Sequence, residues 1–555
     1  MDKAMVSSHL SLRKKIGQLI VVRTTGYIFD HQIRYPTWEA TQSQLKIWLA
    51  ELNLGGVILL GGSCGEIAYR TKQLQSWAKT PLFVAADIEE GVGQRFTGAS
   101  WFPPPMALSK IAEFNLMDAK KYAEKMGNIT AREALAIGIN WILAPITDVN
   151  NNPDNPVINV RSFGDNPQVV GDLAEAFIDG CKPYPILTTA KHFPGHGDTS
   201  TDSHLDLPKI NHNLHRLQEI ELLPFQQAIN KGVDSIMTAH MLVEALDCVN
   251  PATLSYSVLT ELLRKKMGFQ GLIVTDALIM GGVSKYASQE EIVVKAIQAG
   301  ADILLMPENP LTAVNAIEKA IDDGILSEER IDESLARIYQ AKAKLFSASF
   351  NSEENFVSMT PNLEGKKIIS FPKDDNQPMD VISTSEAIAT VNEILEQSMS
   401  QDGKLPLQAT DQAINLVVVH DLLNCDFLDR QTPSVTIPES YGYQTQLFDH
   451  RNLSLAQYKD QPILLQAFIR GNPFLGNGGL TDSGKAFYEE LLTTNYIKGI
   501  IIYGSPYILD WFLQRLNPDI PWLFSYGQMK EAQNLACGQL FGVSTDLNIE
   551  KDNFL

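Results

Sequence analysis

The fourteen residues from Lys191 to His204 hold the densest group of reactive side chains in this sequence. They read KHFPGHGDTSTDSH and include three histidines, two aspartates and one lysine. In an extended backbone Asp202 and His204 would project to the same side, because side chains alternate along a strand. The carboxylate could then fix the tautomer of the imidazole and raise the basicity of its second nitrogen. The pattern predicts a general acid/base, which protonates a leaving group and later takes a proton from water.

Two other interpretations of this segment stay open. It could bind a metal ion, although the glycines would leave the ligands without fixed positions; the candidate ligands are His196, Asp198, Asp202 and His204. It could also be a solvated polar loop whose side chains only cap neighbouring helices. We favour the acid/base interpretation and expect no metal and no cofactor.

An acid catalyst needs a second group at the reacting carbon, and Asp276 in VTDALIM is the best candidate. It ends an apolar run, where its carboxylate could attack or stabilise an electron-poor carbon. Lys191 and His192 end another such run and could donate hydrogen bonds to ring hydroxyls. Arg161, in the loop NPVINVRSFGDNP, could reach a charged or polyhydroxylated ligand, or it could form a structural ion pair.

Eight short apolar runs, separated mostly by segments with helical periodicity, must position these residues. Continuous apolar strands alternating with helices predict an α/β fold with a parallel sheet covered on both faces. We expect the sheet to close into a (β/α)8 barrel, with an open doubly wound sheet as the alternative. The predicted strands are Gly17–Arg23, Leu54–Leu60, Pro81–Asp87, Asn140–Val149, Pro185–His192, Val233–His240, Gly271–Leu278 and Ala301–Pro307. Helices are predicted at Asp118–Gly138, Leu214–Lys231 and Glu290–Ala299.

Ionisable residues recur where these runs give way to polar loops. In a parallel barrel the carboxyl ends of the strands meet on one face, where catalytic groups are placed. A single residue of this kind could be a helix cap, but six at equivalent positions predict a shared site. They are Asp87, Asp148, Lys191, His192, His240 and Asp276.

A second domain is predicted after a polar segment at residues 347–373, which we interpret as a linker. The barrel would then span residues 1–346, and a smaller α/β sandwich with a mainly parallel sheet would span residues 374–555. Its predicted strands are Ile414–Asp421, Pro462–Ile469, Lys498–Gly504 and Pro521–Gly527, with a helix at Gly484–Thr493.

The composition of the 555 residues narrows the possible partners. The 45 basic and 65 acidic residues give a formal net charge of −20, which disfavours binding to nucleic acid or to anionic membranes. No apolar run is long enough to span a bilayer. The five cysteines show no zinc-ligand spacing, so we expect a cytoplasmic protein with reduced thiols. The composition does not indicate an oligomeric state.

Four segments together resemble the catalytic barrel of glycoside hydrolase family 3, and within it the β-N-acetylglucosaminidases of cell-wall recycling. The resemblance covers about the first 350 residues, and the segments are AADIEEGVGQRF, NPVINVRSFGDNP, KHFPGHGDTSTDSH and VTDALIM. The Asp-x-His loop marks this subgroup against the β-glucosidases of the family. The C-terminal part looks like the family's smaller α/β sandwich, which many members of the subgroup lack.

The resemblance implies a retaining exo-enzyme that removes terminal β-linked N-acetylglucosamine from small carbohydrates such as peptidoglycan fragments. Asp276 would be the nucleophile and His204, paired with Asp202, the acid/base. The residues implied to bind the amino sugar are Asp87, Arg95, Arg161, Lys191 and His192.

The sequence departs from the family after the third predicted strand. The usual Asp-Gln-Glu-Gly-Gly-Arg-Val is replaced by Asp-Ile-Glu-Glu-Gly-Val-Gly, so that Glu90 replaces a glycine, Val92 an arginine and Gly93 a valine. This change could reshape the pocket for another β-glycoside, which makes a β-glucosidase an alternative. A phosphorylase that uses phosphate in place of water is another alternative, because a neutral imidazole does not repel an anion. A non-catalytic sugar-binding protein is the third.

Overall fold

The apolar β-branched runs form parallel strands, which bury both faces and therefore need apolar side chains throughout. The computed structural model describes residues 10–346, 378–408, 412–454, 461–471 and 479–543. These residues separate into two compact units, the first ending at Ile388 and the second beginning at Ala389. The predicted linker at residues 347–373 lies outside the described residues.

Each of the eight predicted runs in the first unit contains a strand. The strands are β1 (Ile20–Thr25), β2 (Gly56–Leu60), β3 (Phe83–Ala86), β4 (Trp141–Ile142), β5 (Thr189–Phe193), β6 (Lys209–Ile210), β7 (Ser235–Thr238), β8 (Leu242–Val243), β9 (Leu272–Val274) and β10 (Leu304–Leu305). The short parallel pair β6 and β8 lies outside the predicted runs.

The strands of the first unit form a curled five-stranded parallel sheet in the order β10-β1-β2-β3-β4 and a three-stranded parallel sheet in the order β5-β7-β9. Single parallel bridges link their edges, from Trp141 to Leu187 on one side and from Val274 to Ile303 on the other. The Trp141 side chain is fully buried. Its indole N–H lies within hydrogen-bonding distance of the hydroxyls of Thr189 and Ser235, at 2.8 and 3.0 Å.

Helices connect the strands. They are α1 (Leu12–Gly17), α2 (Gln42–Glu51), α3 (Cys64–Trp77), α4 (Met106–Ala112), α5 (Leu116–Ala136), α6 (Pro167–Cys181), α7 (Leu214–Glu219), α8 (Leu222–Lys231), α9 (Gly281–Ser284), α10 (Gln289–Ala299), α11 (Pro310–Asp322) and α12 (Glu328–Phe346), with a π-helix at Ser257–Lys266. Short 3₁₀ turns lie at Asp30–Gln32, Val92–Gln94, Asn159–Arg161, Ala252–Leu254 and Pro378–Val381.

The helix predicted at Leu214–Lys231 is two helices, α7 and α8. Ile220 leaves the helical conformation with φ −120°. Glu221 is turned into the protein and accepts two hydrogen bonds from Arg216, at 2.7 and 2.8 Å. The periodicity of apolar residues continues across the break, and for that reason the sequence predicts one helix.

The second unit contains one six-stranded sheet in the order β11-β16-β15-β14-β12-β13. Its strands are β11 (Ser400–Asp402), β12 (Ile414–Val418), β13 (Gln444–Phe448), β14 (Ile463–Ile469), β15 (Ile497–Gly504) and β16 (Trp522–Ser525). Strand β11 is antiparallel to β16, and the other pairs are parallel. The mainly parallel sheet predicted from the sequence is therefore confirmed.

Helices pack around this second sheet. They are α13 (Ser385–Ser398), which spans the boundary between the units, α14 (Pro433–Ser440), α15 (Asp482–Leu492), α16 (Pro506–Leu513) and α17 (Lys530–Phe541), with a 3₁₀ turn at Leu422–Asn424. In the core of this unit the ring of Phe468 stacks on Tyr503 with centroids 4.3 Å apart. Across the described residues of both units, the helices are too short or too polar to traverse a bilayer.

Candidate active site

The carboxyl ends of β3 and β5 meet around a network of buried ion pairs. Lys191, in the middle of β5, is 1% exposed, and its Nζ lies 2.6 Å from Asp87 Oδ1 and 2.7 Å from Glu89 Oε1. Arg161 donates two hydrogen bonds to Glu89, at 2.9 and 2.7 Å. Glu89 thus joins Lys191 and Arg161, two residues that the sequence predicts to bind the sugar, and Lys191 joins them to Asp87.

The charges of this network hold one another in the ionised form. Burial alone would raise the pKa of Glu89, but the adjacent Arg161 and Lys191 cations lower it well below the usual value. Burial alone would lower the pKa of Lys191, and the Asp87 and Glu89 carboxylates raise it instead. The four side chains therefore form a fixed set of hydrogen-bond donors and acceptors.

Arg95 belongs to the same loop as Asp87, and its side chain is exposed. Its Nε donates a hydrogen bond of 3.0 Å to the carbonyl oxygen of Asp87. Its guanidinium has no carboxylate partner among the described residues, in contrast to Arg161, and can therefore turn to a ligand.

His192 is oriented by Asp148, which follows the short strand β4. The His192 Nδ1 lies 2.8 Å from Asp148 Oδ2, and the backbone N–H of His196 donates to Asp148 Oδ1 at 2.6 Å. Burial alone would raise the pKa of Asp148, and the two histidines lower it overall. The carboxylate therefore fixes which nitrogen of His192 faces the site.

The predicted dyad is present, but its backbone is a turn rather than the expected extended stretch. The carbonyl oxygen of Asp202 accepts backbone hydrogen bonds from Leu205 and Asp206, both at 3.0 Å. Asp202 Oδ1 accepts the backbone N–H of His204 at 2.9 Å and lies 2.8 Å from His204 Nδ1. The turn lets an i, i+2 pair meet directly, whereas an extended chain would leave the two Cα atoms about 6.5–7 Å apart.

The dyad loop is attached to the segment that follows Asp276. Gly281 donates its backbone N–H to His204 O at 3.1 Å, and Gly282 donates to Ser203 O at 2.9 Å. A Cβ atom at Gly281 would lie 2.8 Å from His204 O, and one at Gly282 would lie 2.7 Å from Ser203 O. Glycine at both positions permits this close approach.

Asp276 follows β9 and is half-buried. Its Oδ1 accepts the backbone N–H of Ala277 at 2.7 Å. Burial alone would raise its pKa, but His192, His240 and His204, together with this hydrogen bond, lower it. The carboxylate is therefore ionised near neutral pH, as a nucleophile must be.

The residues considered for a metal ion belong to separate pairs. His196 Nδ1 lies 2.8 Å from the hydroxyl of Thr199, and burial lowers the pKa of His196 to about 4. Asp198 pairs with His212 at 2.5 Å. In the described part of the chain, no three His, Cys, Asp or Glu side chains are grouped so that they could hold a metal ion.

The altered turn after Asp87 is rebuilt around the new residues. The buried Glu90 accepts a hydrogen bond of 3.0 Å from the indole N–H of Trp101. Gly93 donates its backbone N–H to Ser100 O at 2.8 Å, and a Cβ at Gly93 would lie 2.4 Å from Ala99 O. A valine would not fit here, so the substitutions form one consistent turn.

Comparison of the sequence with models of known protein families shows which family this chain belongs to. The model described as glycosyl hydrolase family 3 N terminal domain matches residues 11–341, and the bacterial glycosyl hydrolase family 3 C-terminal domain matches residues 406–542. The chain belongs to glycoside hydrolase family 3. It is accordingly a glycoside hydrolase with the α/β fold of the family 3 enzymes.

Individual relatives in family 3 agree with this assignment. Beta-hexosaminidase A of Pseudoalteromonas piscicida is 31% identical over 444 residues, 74% of this chain and 70% of that protein. A beta-hexosaminidase of Tolumonas auensis is 37% identical over 276 residues, 49% of this chain and 79% of that protein. A solved family 3 beta-N-acetylglucosaminidase from Paenibacillus sp. str. FPU-7 is 28% identical with a TM-score of 0.75, covering 96% of this chain and 97% of that one.

One carboxylate of this family 3 site, Glu89, is missed by the sequence analysis, whereas Asp148 is among the strand-end residues that it places at a shared site. Glu89 follows Asp87 by two residues in the same loop. This spacing does not indicate that Glu89 would join Lys191 to Arg161, because the three residues are far apart in the chain. A buried carboxylate beside two predicted cationic residues is the signal that the structure adds.

Proposed function

We propose that this chain is a retaining exo-β-N-acetylglucosaminidase that uses Asp276 as nucleophile and the Asp202–His204 dyad as acid/base. The observation that carries the proposal is the attachment of the dyad loop to the segment after Asp276. An ionised carboxylate and an imidazole that can first donate and then accept a proton satisfy the opposite roles that glycoside cleavage needs.

In the first step His204 would donate its Nε2 proton to the glycosidic oxygen. The Asp276 carboxylate would attack the anomeric carbon as the bond to the leaving group breaks, giving a glycosyl-enzyme through an oxocarbenium-like transition state. Asp202, hydrogen-bonded to His204 Nδ1 at 2.8 Å, would hold the ring in the required tautomer.

In the second step neutral His204 would take a proton from water. The hydroxyl oxygen would attack the anomeric carbon and release the Asp276 carboxylate, so that the sugar leaves with its β configuration retained. Direct attack by Asp276 distinguishes this scheme from one in which the acetamido group of the substrate is the nucleophile.

The buried ion pairs are proposed to bind the amino sugar. Asp87, Arg95, Arg161, Lys191 and His192 are the sugar-binding residues of this proposal, with Glu89 and Asp148 positioning them. Charged hydrogen-bond partners of fixed geometry suit ring hydroxyls, because a missing hydroxyl would leave a buried polar group unpaired.

We further propose that the two sheets of the first unit close into a (β/α)8 barrel. The bridges from Trp141 to Leu187 and from Val274 to Ile303 support closure, since they join the two sheets at both edges. Domain bounds of 1–346 for the barrel and 374–555 for the second domain remain part of this proposal.

The proposed natural substrate is a small fragment of peptidoglycan, as in the cell-wall recycling branch that the Asp-x-His loop resembles. A cytoplasmic location would suit such recycling. All five cysteines are unpaired, which fits a reducing compartment.

The test is hydrolysis of 4-nitrophenyl N-acetyl-β-glucosaminide beside the matching β-glucoside, with wild type, Asp276→Asn and His204→Ala. We expect a strong preference for the amino sugar and a loss of several orders of magnitude in Asp276→Asn. His204→Ala should lose less, because nitrophenolate leaves with little acid assistance.

Each alternative predicts a different result. Preference for the glucoside would make the enzyme a β-glucosidase, and a sugar 1-phosphate formed only with added phosphate would make it a phosphorylase. An α-configured sugar on first release, observed by NMR, would rule out retention. Cleavage of neither glycoside would leave a sugar-binding protein as the better interpretation.

A further inference from the structure

His240 is a buried ionisable side chain close to Asp276 that the proposed reaction does not use. It follows β7 by two residues and is fully buried. Its Nε2 lies 3.0 Å from the carbonyl oxygen of Ala277, the residue after Asp276. Its Nδ1 lies 2.8 Å from the hydroxyl oxygen of Thr253. Both ring nitrogens therefore have hydrogen-bond partners, as a buried polar group requires.

These two contacts fix the position of the proton on the neutral imidazole. A carbonyl oxygen can only accept a hydrogen bond, so Nε2 carries the proton and donates it to Ala277 O. Nδ1 is then the acceptor, and the Thr253 hydroxyl donates to it. That hydroxyl also lies 3.0 Å from Ala239 O, but donation there would leave the buried Nδ1 without a donor. Burial lowers the pKa of His240, so the neutral form is the one present at pH 7.

Ala277 connects His240 to the proposed nucleophile. The carbonyl oxygen of Ala277 accepts the N–H of His240, and the backbone N–H of Ala277 donates to Asp276 Oδ1 at 2.7 Å. The same carbonyl oxygen accepts the backbone N–H of Met280 at 3.0 Å, which closes the turn after Asp276. His240 therefore holds the residue whose N–H orients the Asp276 carboxylate.

The hydrogen bonds of His240 act on the nucleophile segment rather than on the dyad loop. The ring nitrogens contact Ala277 and Thr253, and neither residue belongs to the proposed sugar-binding set. His240 also lies next to Gly282, where an added Cβ would be 3.3 Å from the His240 Cβ. That approach is a packing contact, so it does not depend on the polar atoms of the imidazole.

We propose that His240 is a positioning residue for Asp276. Its Nε2–H holds the carbonyl oxygen of Ala277 and thereby keeps the N–H of Ala277 directed at the attacking carboxylate. The inference rests on the proposed function, because it takes Asp276 as the nucleophile. Loss of the imidazole should slow the attack on the anomeric carbon and leave the affinity for the sugar unchanged.

The experiment measures kcat/KM for 4-nitrophenyl and for methyl N-acetyl-β-glucosaminide, together with inhibition by free N-acetylglucosamine. His240→Leu removes both hydrogen bonds, and kcat/KM should fall by about ten- to 100-fold. The factor should be the same for the two substrates, because both need the attack by Asp276 whichever group leaves. The inhibition constant of N-acetylglucosamine should change by less than about twofold, since ground-state binding is not affected.

Two further variants separate the hydrogen bonds of His240 from its volume. His240→Gln should recover most of the loss, because its amide has a donor and an acceptor as the neutral imidazole does. His215→Leu is the matched control, since the His215 side chain is 79% exposed on α7, and it should change neither kcat/KM nor inhibition.

Thr253→Val tests the same contact with the imidazole in place. The change removes the hydroxyl that donates to Nδ1, so kcat/KM for both substrates should fall by about two- to tenfold, the worth of one hydrogen bond. Thr253→Ser, which keeps the hydroxyl, should restore the wild-type value.

Unchanged kcat/KM in His240→Leu would overturn the inference while leaving the proposed function intact. A larger loss for the methyl glycoside than for the 4-nitrophenyl glycoside, weaker inhibition by N-acetylglucosamine, or no recovery in His240→Gln would do the same. Failure of the wild type to cleave either substrate would instead overturn the proposed function, and the positioning role with it. Thermal unfolding identifies a folding defect in His240→Leu, and in that case the comparison of Thr253→Val with Thr253→Ser decides.

Discussion

The backbone N–H of Gly282 donates a hydrogen bond of 2.9 Å to the carbonyl oxygen of Ser203, the residue between Asp202 and His204. Together with the bond from Gly281 to His204 O, at 3.1 Å, it fixes the proposed acid/base relative to the chain that leaves Asp276. The position of the proposed acid/base relative to the proposed nucleophile is thereby set by backbone contacts between their loops.

Gly282→Ala should displace the dyad loop, because its Cβ would lie 2.7 Å from Ser203 O. Misplacement of a catalytic group by about 1 Å can lower the reaction rate about 100-fold. We therefore expect kcat/KM for methyl N-acetyl-β-glucosaminide to fall by roughly ten- to 100-fold. The loss for 4-nitrophenyl N-acetyl-β-glucosaminide should be smaller, since its leaving group needs little protonation.

The control for this change is Gly65→Ala in α3, where an added Cβ meets nothing within 4 Å. It should leave both rates unchanged. Equal losses on the two substrates for Gly282→Ala would contradict a specific effect on the acid/base.

Glu89→Gln should destabilise the fold and abolish most activity. The change keeps the volume of the side chain but removes the carboxylate that Arg161 and Lys191 share, at 2.7 Å from each. Breaking a buried ion pair from one side costs about 3–5 kcal/mol. Urea unfolding measures the loss, and an unchanged midpoint would show that Asp87 alone balances the two cations.

Glu113→Gln is the surface control for the stability loss expected in Glu89→Gln. Glu113 pairs with Lys110 at the surface and is 58% exposed, so its loss should cost at most about 1 kcal/mol.

Gly93→Val would restore the residue that the family usually has and should nevertheless destabilise this chain. The Cβ would lie 2.4 Å from Ala99 O and 2.7 Å from the carbonyl carbon of Ser100. Overpacking of this kind costs about 1–3 kcal/mol, which thermal unfolding would detect. An unchanged melting temperature would mean that the turn can relax to the usual family form.

Lys342→Met should stabilise the protein more at about pH 6 than at about pH 9.5. Burial lowers the pKa of Lys342 from 10.5 to about 7, although its Nζ donates a hydrogen bond of 2.7 Å to Gln18. A lowered pKa disfavours the protonated folded state, so the cost is complete below about pH 7 and is relieved as the pH rises toward 10.5.

The measurement for Lys342→Met is the shift in the urea midpoint relative to wild type at the two pH values. Lys319→Met, at an exposed position of α11, should show no such dependence. A shift that is the same at both pH values would mean that Lys342 is not the titrating group.

Much of the fold follows from the sequence because buried parallel strands are continuous apolar runs. All eight runs of the first unit contain strands, and the four runs of the second unit do as well. Strand β13 is not predicted from apolar runs, because it lies at the edge of the sheet and four of its five residues, QTQLF, are not buried. A polar edge strand of this kind resembles a loop in sequence.

The candidate site is predictable only in part, because local turns and contacts between distant loops are not encoded in residue spacing. Short spacings such as that of Asp202 and His204 indicate a pair, although the local turn that joins them is not encoded in the spacing. Contacts between distant loops, such as Glu89 with Arg161, depend on side-chain directions that the topology alone does not set.

The ion pairs around Glu89 also determine how the pocket responds to salt. Asp87 and Glu89 balance Lys191 and Arg161 within one network, so an uncharged sugar at the proposed binding site would enter without releasing bound counterions. Because mobile ions screen exposed charges far more than buried pairs, the affinity for such a sugar should vary little with ionic strength. This distinguishes the proposed sugar pocket from one that attracts its ligand through an unbalanced surface charge.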